Sequence, residues 1–223
     1  EPESEKPAAL GMRQALSAPF FEYLGRRGWS GVILVLCFMF LYKLGDSMAT
    51  ALTMPFYLEM GFTKTEIGLV AKNAALWPSI IGGLVGGLIM LRVGINRALW
   101  MFGGVQMASI LGFALLASSE PDLWLLALVI AFEYLGVGMG TAAFTAFIAR
   151  ETSKTYAATQ FALFTALAAV PRTLVNGTTG IIVENIGWVD FFLLCTCLAV
   201  PGMLLLIWWA PWAGQKSAVL VER

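Results

Sequence analysis

Five ionisable residues lie inside long apolar stretches of this sequence: Lys43, Asp46, Lys72, Glu133 and Arg172. A charge in lipid hydrocarbon costs about 2.5–3.5 kcal/mol even on the lenient insertion scales. Segments that only crossed a bilayer would be more stable without these charges. We therefore expect several of the segments to face a polar interior, and we expect that interior to carry a solute.

Two of these charges lie close together near the centre of the first apolar stretch. Lys43 comes 14 residues after Trp29, about 21 Å along a helix, which is too deep for easy snorkelling. Lys43, Asp46, Thr50 and Thr53 follow helical spacing and form one polar stripe. The pair has two interpretations: a locally neutralised ion pair that only permits insertion, or a cavity-lining pair that responds to substrate or protons.

Glu133 stands alone in its stretch, about 15 Å from the outer end by helical rise. An isolated carboxylate in a low-dielectric interior is favoured to take up a proton. The sequence contains no histidine, so any proton carrier must be a carboxylate. Glu133 is therefore a candidate proton-coupling residue, and the alternative is a permanent ion pair with Arg172 or Lys43.

Arg172 follows a proline deep in the fifth stretch, and it shares a helix face with Thr165, Asn176 and Thr179. Arginine stays charged and binds carboxylates bidentately. Its predicted partner is an anionic group of the solute or one of the two buried acids. The interior holds three cations and two anions, a balance that favours an anionic or amphiphilic solute.

Three further polar residues are weaker candidates for solute contact. Lys72 and Asn73 lie two turns from the outer end of the second stretch, where Lys72 is also able to snorkel to the headgroups. Gln160, near the inner end of the fifth stretch, is a candidate for lining the inner mouth. Glycines at 82, 83, 86 and 87 follow Trp77-Pro78 and predict a bend and then a closely packed face.

The composition is that of a membrane protein. Of 223 residues, 59% are hydrophobic and 13% are charged, against about 25% charged in a soluble domain. The formal net charge is zero, which argues against a nucleic-acid partner. The three cysteines match no metal or redox motif, and no nucleophile–base pair is evident. We therefore expect no enzyme activity, no cofactor and no metal site.

Six segments are long and apolar enough to span a bilayer as helices. Their predicted bounds are Trp29–Leu58, Ile67–Leu91, Ala98–Ala117, Leu123–Ile148, Ala157–Val183 and Trp188–Trp209. The connections are short, so the predicted fold is all-α and polytopic. Ten lysines and arginines fall on the side of the termini and one, Lys64, on the other, which predicts that both termini are cytoplasmic.

The predicted domains are a linker with an amphipathic segment at 1–28, a six-helix transmembrane domain at 29–213 and a cytoplasmic tail at 214–223. The chain starts at Glu1 with no signal-peptide pattern, so we expect a fragment or the second part of a longer polypeptide.

Several motifs resemble a known family. The loop Gly87–Arg97 is similar to the loop signature of the major facilitators, although Leu91 stands where that signature usually has Asp. A closer resemblance, to the second half of AmpG-type anhydromuropeptide permeases, covers about Leu16 to Trp209. It rests on the runs Leu41–Asp46, Phe132-Glu133, Gly138–Phe144, Ala158–Leu163 and Val200–Gly202.

The resemblance implies the C-terminal half of a major facilitator, a 3+3 inverted repeat, in a bacterial inner membrane. It implies proton-driven import of N-acetylglucosaminyl-anhydro-N-acetylmuramyl peptides, with an N-terminal six-helix half as partner. Asp46 and Glu133 would then be the proton-linked carboxylates. Lys43, Lys72 and Arg172 would meet solute carboxylates, and Asn73 and Asn176 its hydroxyls. Alternatives are a facilitator for another acidic or bulky solute and a membrane scaffold without transport.

Overall fold

The computed structural model describes residues 12–212, which fold almost wholly into helices. No strand occurs in that range. The helices are α1 (Met12–Ala51), α2 (Thr53–Glu59), α3 (Lys64–Val93), α4 (Ile95–Ala117), α5 (Leu123–Glu151), α6 (Ala157–Asn176) and α7 (Thr179–Trp209). The predicted all-α, polytopic fold is confirmed. Residues 1–11 and 213–223, which include the first part of the predicted linker and the whole predicted tail, lie outside the described part.

Positive-φ glycines divide the longest helical runs. Gly28 has φ 68° within α1, Gly187 has φ 78° within α7, and Gly94 has φ 82° between α3 and α4. Glycine adopts this backbone region without the steric penalty that a Cβ imposes. The chain therefore changes direction at these three points.

Between residues 12 and 212, five helical runs are apolar and long enough to cross a membrane. The run Lys64–Ala117 has 54 residues, about 81 Å of helix against a hydrocarbon core of about 30 Å. Because Gly94 breaks it, this run makes two crossings, α3 and α4. Six crossings result, in agreement with half of a major-facilitator fold.

One predicted boundary is wrong. The fifth span was expected to continue to Val183, but α6 ends at Asn176 and α7 begins at Thr179. The hydroxyls of Thr178 and Thr179 bond to the carbonyls of Val175 and Asn176 at 2.7 Å each. These bonds satisfy carbonyls that a continuing helix would have used. Thr179 therefore does not share a helix with Arg172.

Two apolar clusters form the core, one towards each end of the bundle. The first centres on Tyr23, Phe38, Phe102 and Phe147, and the second on Phe56, Phe113 and Phe192. On α1, the first cluster ends at Tyr42 and the second begins at Leu44. The polar residues that start at Lys43 therefore lie between two apolar layers.

Helices α3 and α5 pack closely through glycines. A Cβ added to Gly82 would lie 2.3 Å from Leu135 O, and one added to Gly138 would lie 2.3 Å from Ser79 O. Only a residue without a side chain permits this backbone approach. Of the four glycines that were expected to form a closely packed face, two, Gly82 and Gly86, contact α5. A Cβ at Gly83 or Gly87 would have no described atom within 4 Å. α3 runs as one helix across Pro78.

Candidate functional site: a buried polar cluster

Lys43 and Asp46 lie one helical turn apart on α1 and form an ion pair. Lys43 Nζ is 3.4 Å from Asp46 Oδ2, and Lys43 is only 5% exposed. Further polar side chains follow: on α1 the Thr50 hydroxyl donates to Asp46 O at 2.8 Å, and at the start of α2 the Thr53 hydroxyl donates to Thr50 O at 3.2 Å. The ion pair is therefore fixed between the two apolar layers.

Glu133 lies on α5 and is fully buried. The hydroxyl of Ser109, on α4, is placed to donate to Glu133 Oε2. The carboxyl group of Asp46 lies within hydrogen-bonding reach of that of Glu133. Lys43, Asp46, Ser109 and Glu133 thus meet from α1, α4 and α5, and we call these four residues the buried polar cluster.

The surroundings of Glu133 bear on its two sequence-based interpretations, a proton-coupling residue or one half of a permanent ion pair. Among the side chains described from residue 17 to 212, no lysine or arginine forms a salt bridge with Glu133, although Lys43 is near enough to interact electrostatically. The acid adjacent to Glu133 is Asp46, which already pairs with Lys43. A permanent, direct ion pair of Glu133 with Arg172 is not what the structure shows.

Arg172 and Asn176 bring α6 to the edge of this cluster. Arg172 is half-buried, donates from Nε to Ala168 O at 3.1 Å, and is close enough to Asp46 for electrostatic interaction. Asn176 Nδ2 donates to Ser47 Oγ at 2.9 Å. Four helices therefore contribute polar groups to one region, with Arg172 on its more accessible side.

Lys72 and Asn73 lie elsewhere, on exposed positions of α3. The Asn73 amide donates to Leu69 O on its own helix at 2.8 Å. In the described part of the chain, no hydrogen bond links either residue to the buried polar cluster. Their contact with solute stays a prediction.

Gln160 is fully buried at the opposite end of α6. Its amide nitrogen donates to Pro19 O at 2.9 Å and is placed to donate to Glu22, and its oxygen accepts from Ser153 N. These bonds hold the first part of α1 against α6. A role for Gln160 in lining the inner mouth also stays a prediction.

A second buried acid, Glu151, anchors the same end of the molecule. It ends α5 and is 2% exposed. It accepts from Arg27 at 3.0 Å and Tyr23 at 3.3 Å, and Arg150 lies 3.7 Å away. Arg26 donates to its backbone carbonyl at 2.6 Å. Three of these partners, Tyr23, Arg26 and Arg27, lie on α1. Glu151 therefore holds the first part of α1 against the end of α5.

A cavity of about 410 Å³ lies at the α3–α4 junction, lined among others by Gly94, Arg97, Arg150 and Trp212. It is a recess at the arginine-rich end of the bundle, away from the buried polar cluster.

Sequence reasoning missed three polar residues of this region: Ser47, Gln106 and Ser109. Gln106 is 4% exposed, and both atoms of its amide lack a partner in the described structure. Gln106 and Ser109 are spaced i, i+3 in an apolar span, a signal that could have marked them. The signal is weak because a lone serine is common in transmembrane helices, where it bonds to its own backbone.

The helical bundle, its six crossings and its buried charges define a polytopic membrane protein with a polar interior. The Major Facilitator Superfamily profile matches residues 1–175, and the chain belongs to that family.

Among curated relatives, an uncharacterized protein of Haemophilus influenzae is 50% identical over 92% of this chain and 50% of its own length. The anhydromuropeptide permease of Escherichia coli K12 is 40% identical, over 93% of this chain and 42% of its own length. The putative transporter AmpG 4 of Rickettsia conorii is 34% identical, over 85% of this chain and 45% of its own length. The chain thus spans about half the length of these relatives, and the AmpG-type resemblance is confirmed.

Proposed function

We propose that this chain is the C-terminal half of a proton-driven importer of anhydromuropeptides in the bacterial inner membrane. It works by alternating access with an N-terminal six-helix half, and solute binds near the midplane between the halves. The observation that carries the proposal is the buried polar cluster, with Arg172 at its edge. The name of the Escherichia coli relative supports the solute class.

The proposed roles follow from side-chain chemistry. Arg172 binds a peptide carboxylate of the solute, because its guanidinium is half-buried and always charged. Asn176 and the neighbouring threonines bond to sugar hydroxyls. Asp46 and Glu133 carry the proton, and Lys43 balances their charge. Lys72, Asn73 and Gln160 are proposed secondary contacts along the path.

The solute class is tested by uptake into vesicles that hold the complete transporter under an imposed pH gradient. Labelled anhydromuropeptide is competed with unlabelled anhydromuropeptide, with the free peptide and with N-acetylglucosamine. We expect strong competition only from the anhydromuropeptide. Uptake of another acidic solute in its place would assign a different substrate, and no uptake of any solute would favour a scaffold.

The role of Arg172 is tested in the same vesicles. Arg172→Gln should raise the KM for anhydromuropeptide, because the solute carboxylate loses its bidentate partner. Lys154→Gln, at an exposed loop lysine, is the matched control. Equal KM values in the two variants would remove Arg172 from the binding site.

A further inference from the structure

Each of two neighbouring acids has one buried carboxyl oxygen that lacks a hydrogen-bond partner in the described part of the chain. Asp46 Oδ1 and Glu133 Oε1 are buried and have no partner among the described residues. The second oxygen of each acid is bonded, Asp46 Oδ2 to Lys43 and Glu133 Oε2 to Ser109. Since the two carboxyl groups lie within hydrogen-bonding reach, one donor placed between them would satisfy both.

A single proton bound to one of the two carboxyl groups would supply this donor. Two carboxylates at this separation repel each other strongly in a low-dielectric interior, whereas a carboxylic acid and a carboxylate form a short charge-assisted hydrogen bond. We propose that Asp46 and Glu133 share one proton, between Asp46 Oδ1 and Glu133 Oε1, and that binding of this proton frees Arg172 for an anionic group of the solute.

The net charge of the two acids explains why their protonation would affect Arg172. With one proton bound, the two acids carry a net charge of −1, which Lys43 neutralises at 3.4 Å. When the proton leaves, the net charge is −2, and the second positive charge within range of Asp46 is Arg172. The deprotonated pair therefore competes with a solute carboxylate for Arg172, so proton and anionic solute bind cooperatively.

The helices packed around the two acids contribute few other charged or titratable groups. α1 contributes Tyr42 in addition to Lys43, α2 contributes Tyr57, and α5 contributes Tyr134. The Cys195 backbone of α7 lies against Gly45, and α4 contributes only the uncharged Ser109 and Gln106. The charged residue of the middle of α3, Lys72, is exposed.

This inference deepens the proton coupling in the proposed function, and its test needs no solute. The complete transporter in lipid bilayers is titrated from acid to alkaline pH while infrared difference spectra record the C=O stretch of protonated carboxyl groups. We expect one band that is lost on deprotonation. Asp46→Asn and Glu133→Gln should each shift its frequency and its midpoint, because the remaining acid no longer has a carboxylate with which to share its proton, and Asp190→Asn, at an exposed acid of α7, should leave it unchanged.

Two independent bands, one lost in each variant, would overturn the shared proton, as would a band that neither substitution alters. If either variant fails to fold, Ser109→Ala supplies the answer, because it leaves both acids in place. Its band should still be lost in a single transition, and two separate transitions would contradict the proposal. If the band behaves as expected but anhydromuropeptide is not taken up, only the solute assignment fails.

Discussion

At the level of single residues, charged side chains in the buried polar cluster have nearby partners, either an opposite charge or a hydroxyl donor. Lys43 neutralises Asp46 one turn away, and Ser109 bonds to Glu133 from a neighbouring helix. Burying an ion pair is costly in itself, and removal of one partner is costlier because it leaves an unbalanced charge in a dry interior. The stability of this region therefore depends on net charge more than on any single bond.

Lys43→Met tests that dependence. The substitution keeps most of the side-chain volume but leaves Asp46 and Glu133 without their nearest cation. We expect a loss of about 3–5 kcal/mol, the usual cost of breaking a buried pair, seen as a lower melting temperature in detergent. Lys64→Met, at the exposed start of α3, should melt like the parent protein.

Adding Asp46→Asn to Lys43→Met should recover part of the loss, because it restores the charge balance. A Lys43→Met protein as stable as the Lys64→Met control would show that the pair contributes nothing to the fold.

At the residue scale, the sequence identified four charges that the structure places in one region, but it missed their neutral partners; Lys72 lies exposed on α3, and the functional roles of all five stay predictions. An ionisable residue in an apolar stretch is conspicuous, so Lys43, Asp46, Glu133 and Arg172 were all identified. Which of them meet is decided by the rotation of α1 and α5 about their axes, and spacing along the sequence does not give that. Ser109 and Gln106 went unnoticed because single polar residues are ordinary in such helices.

At the scale of the element, glycines set how closely helices approach. Gly82 and Gly138 bring α3 and α5 into backbone contact, and Gly45 and Gly202 do the same for α1 and α7. The α5 contact matters to the site because it sets the rotation of the helix that carries Glu133.

Gly82→Ala and Gly83→Ala form a matched pair that tests this packing. A Cβ at 82 would lie 2.3 Å from Leu135 O, whereas a Cβ at 83 would meet no described atom. We expect the first substitution to destabilise by about 1–3 kcal/mol through overpacking. The second should be neutral or slightly stabilising, because alanine favours helix. Equal melting temperatures would show that α3 and α5 do not pack as described.

The sequence predicted the existence of the membrane-spanning helices well, but it predicted their end residues less well. Long apolar runs identify crossings because the bilayer fixes their length. The end of α6 at Asn176 depends on two threonine hydroxyls that bond back to the helix, and hydropathy does not detect such bonds.

At the scale of the whole molecule, the bundle exposes much apolar surface, including Leu84, Leu91 and Leu174. In the proposed assembly, part of this surface meets lipid and part meets the N-terminal half. The positively charged residues gather at the end that holds Arg27, Arg150 and Glu151, which predicts that this end is cytoplasmic.

Cysteine labelling checks the orientation. In a background that replaces Cys37, Cys195 and Cys197, Glu120→Cys should react with a membrane-impermeant maleimide in intact spheroplasts. Lys154→Cys should react only after permeabilisation. The reverse pattern would invert the proposed topology.

In the proposed mechanism, Asp46 and Glu133 couple proton entry to solute movement, and a variant in which both acids are neutralised tests this coupling. Vesicles with the complete transporter and an inward proton gradient are supplied with labelled anhydromuropeptide, with and without a protonophore. We predict gradient-driven accumulation in the parent protein and in Asp190→Asn. The Asp46→Asn/Glu133→Gln double variant, if folded, should show no accumulation and no response to the protonophore. Accumulation in the double variant that remains fully sensitive to the protonophore would contradict the account.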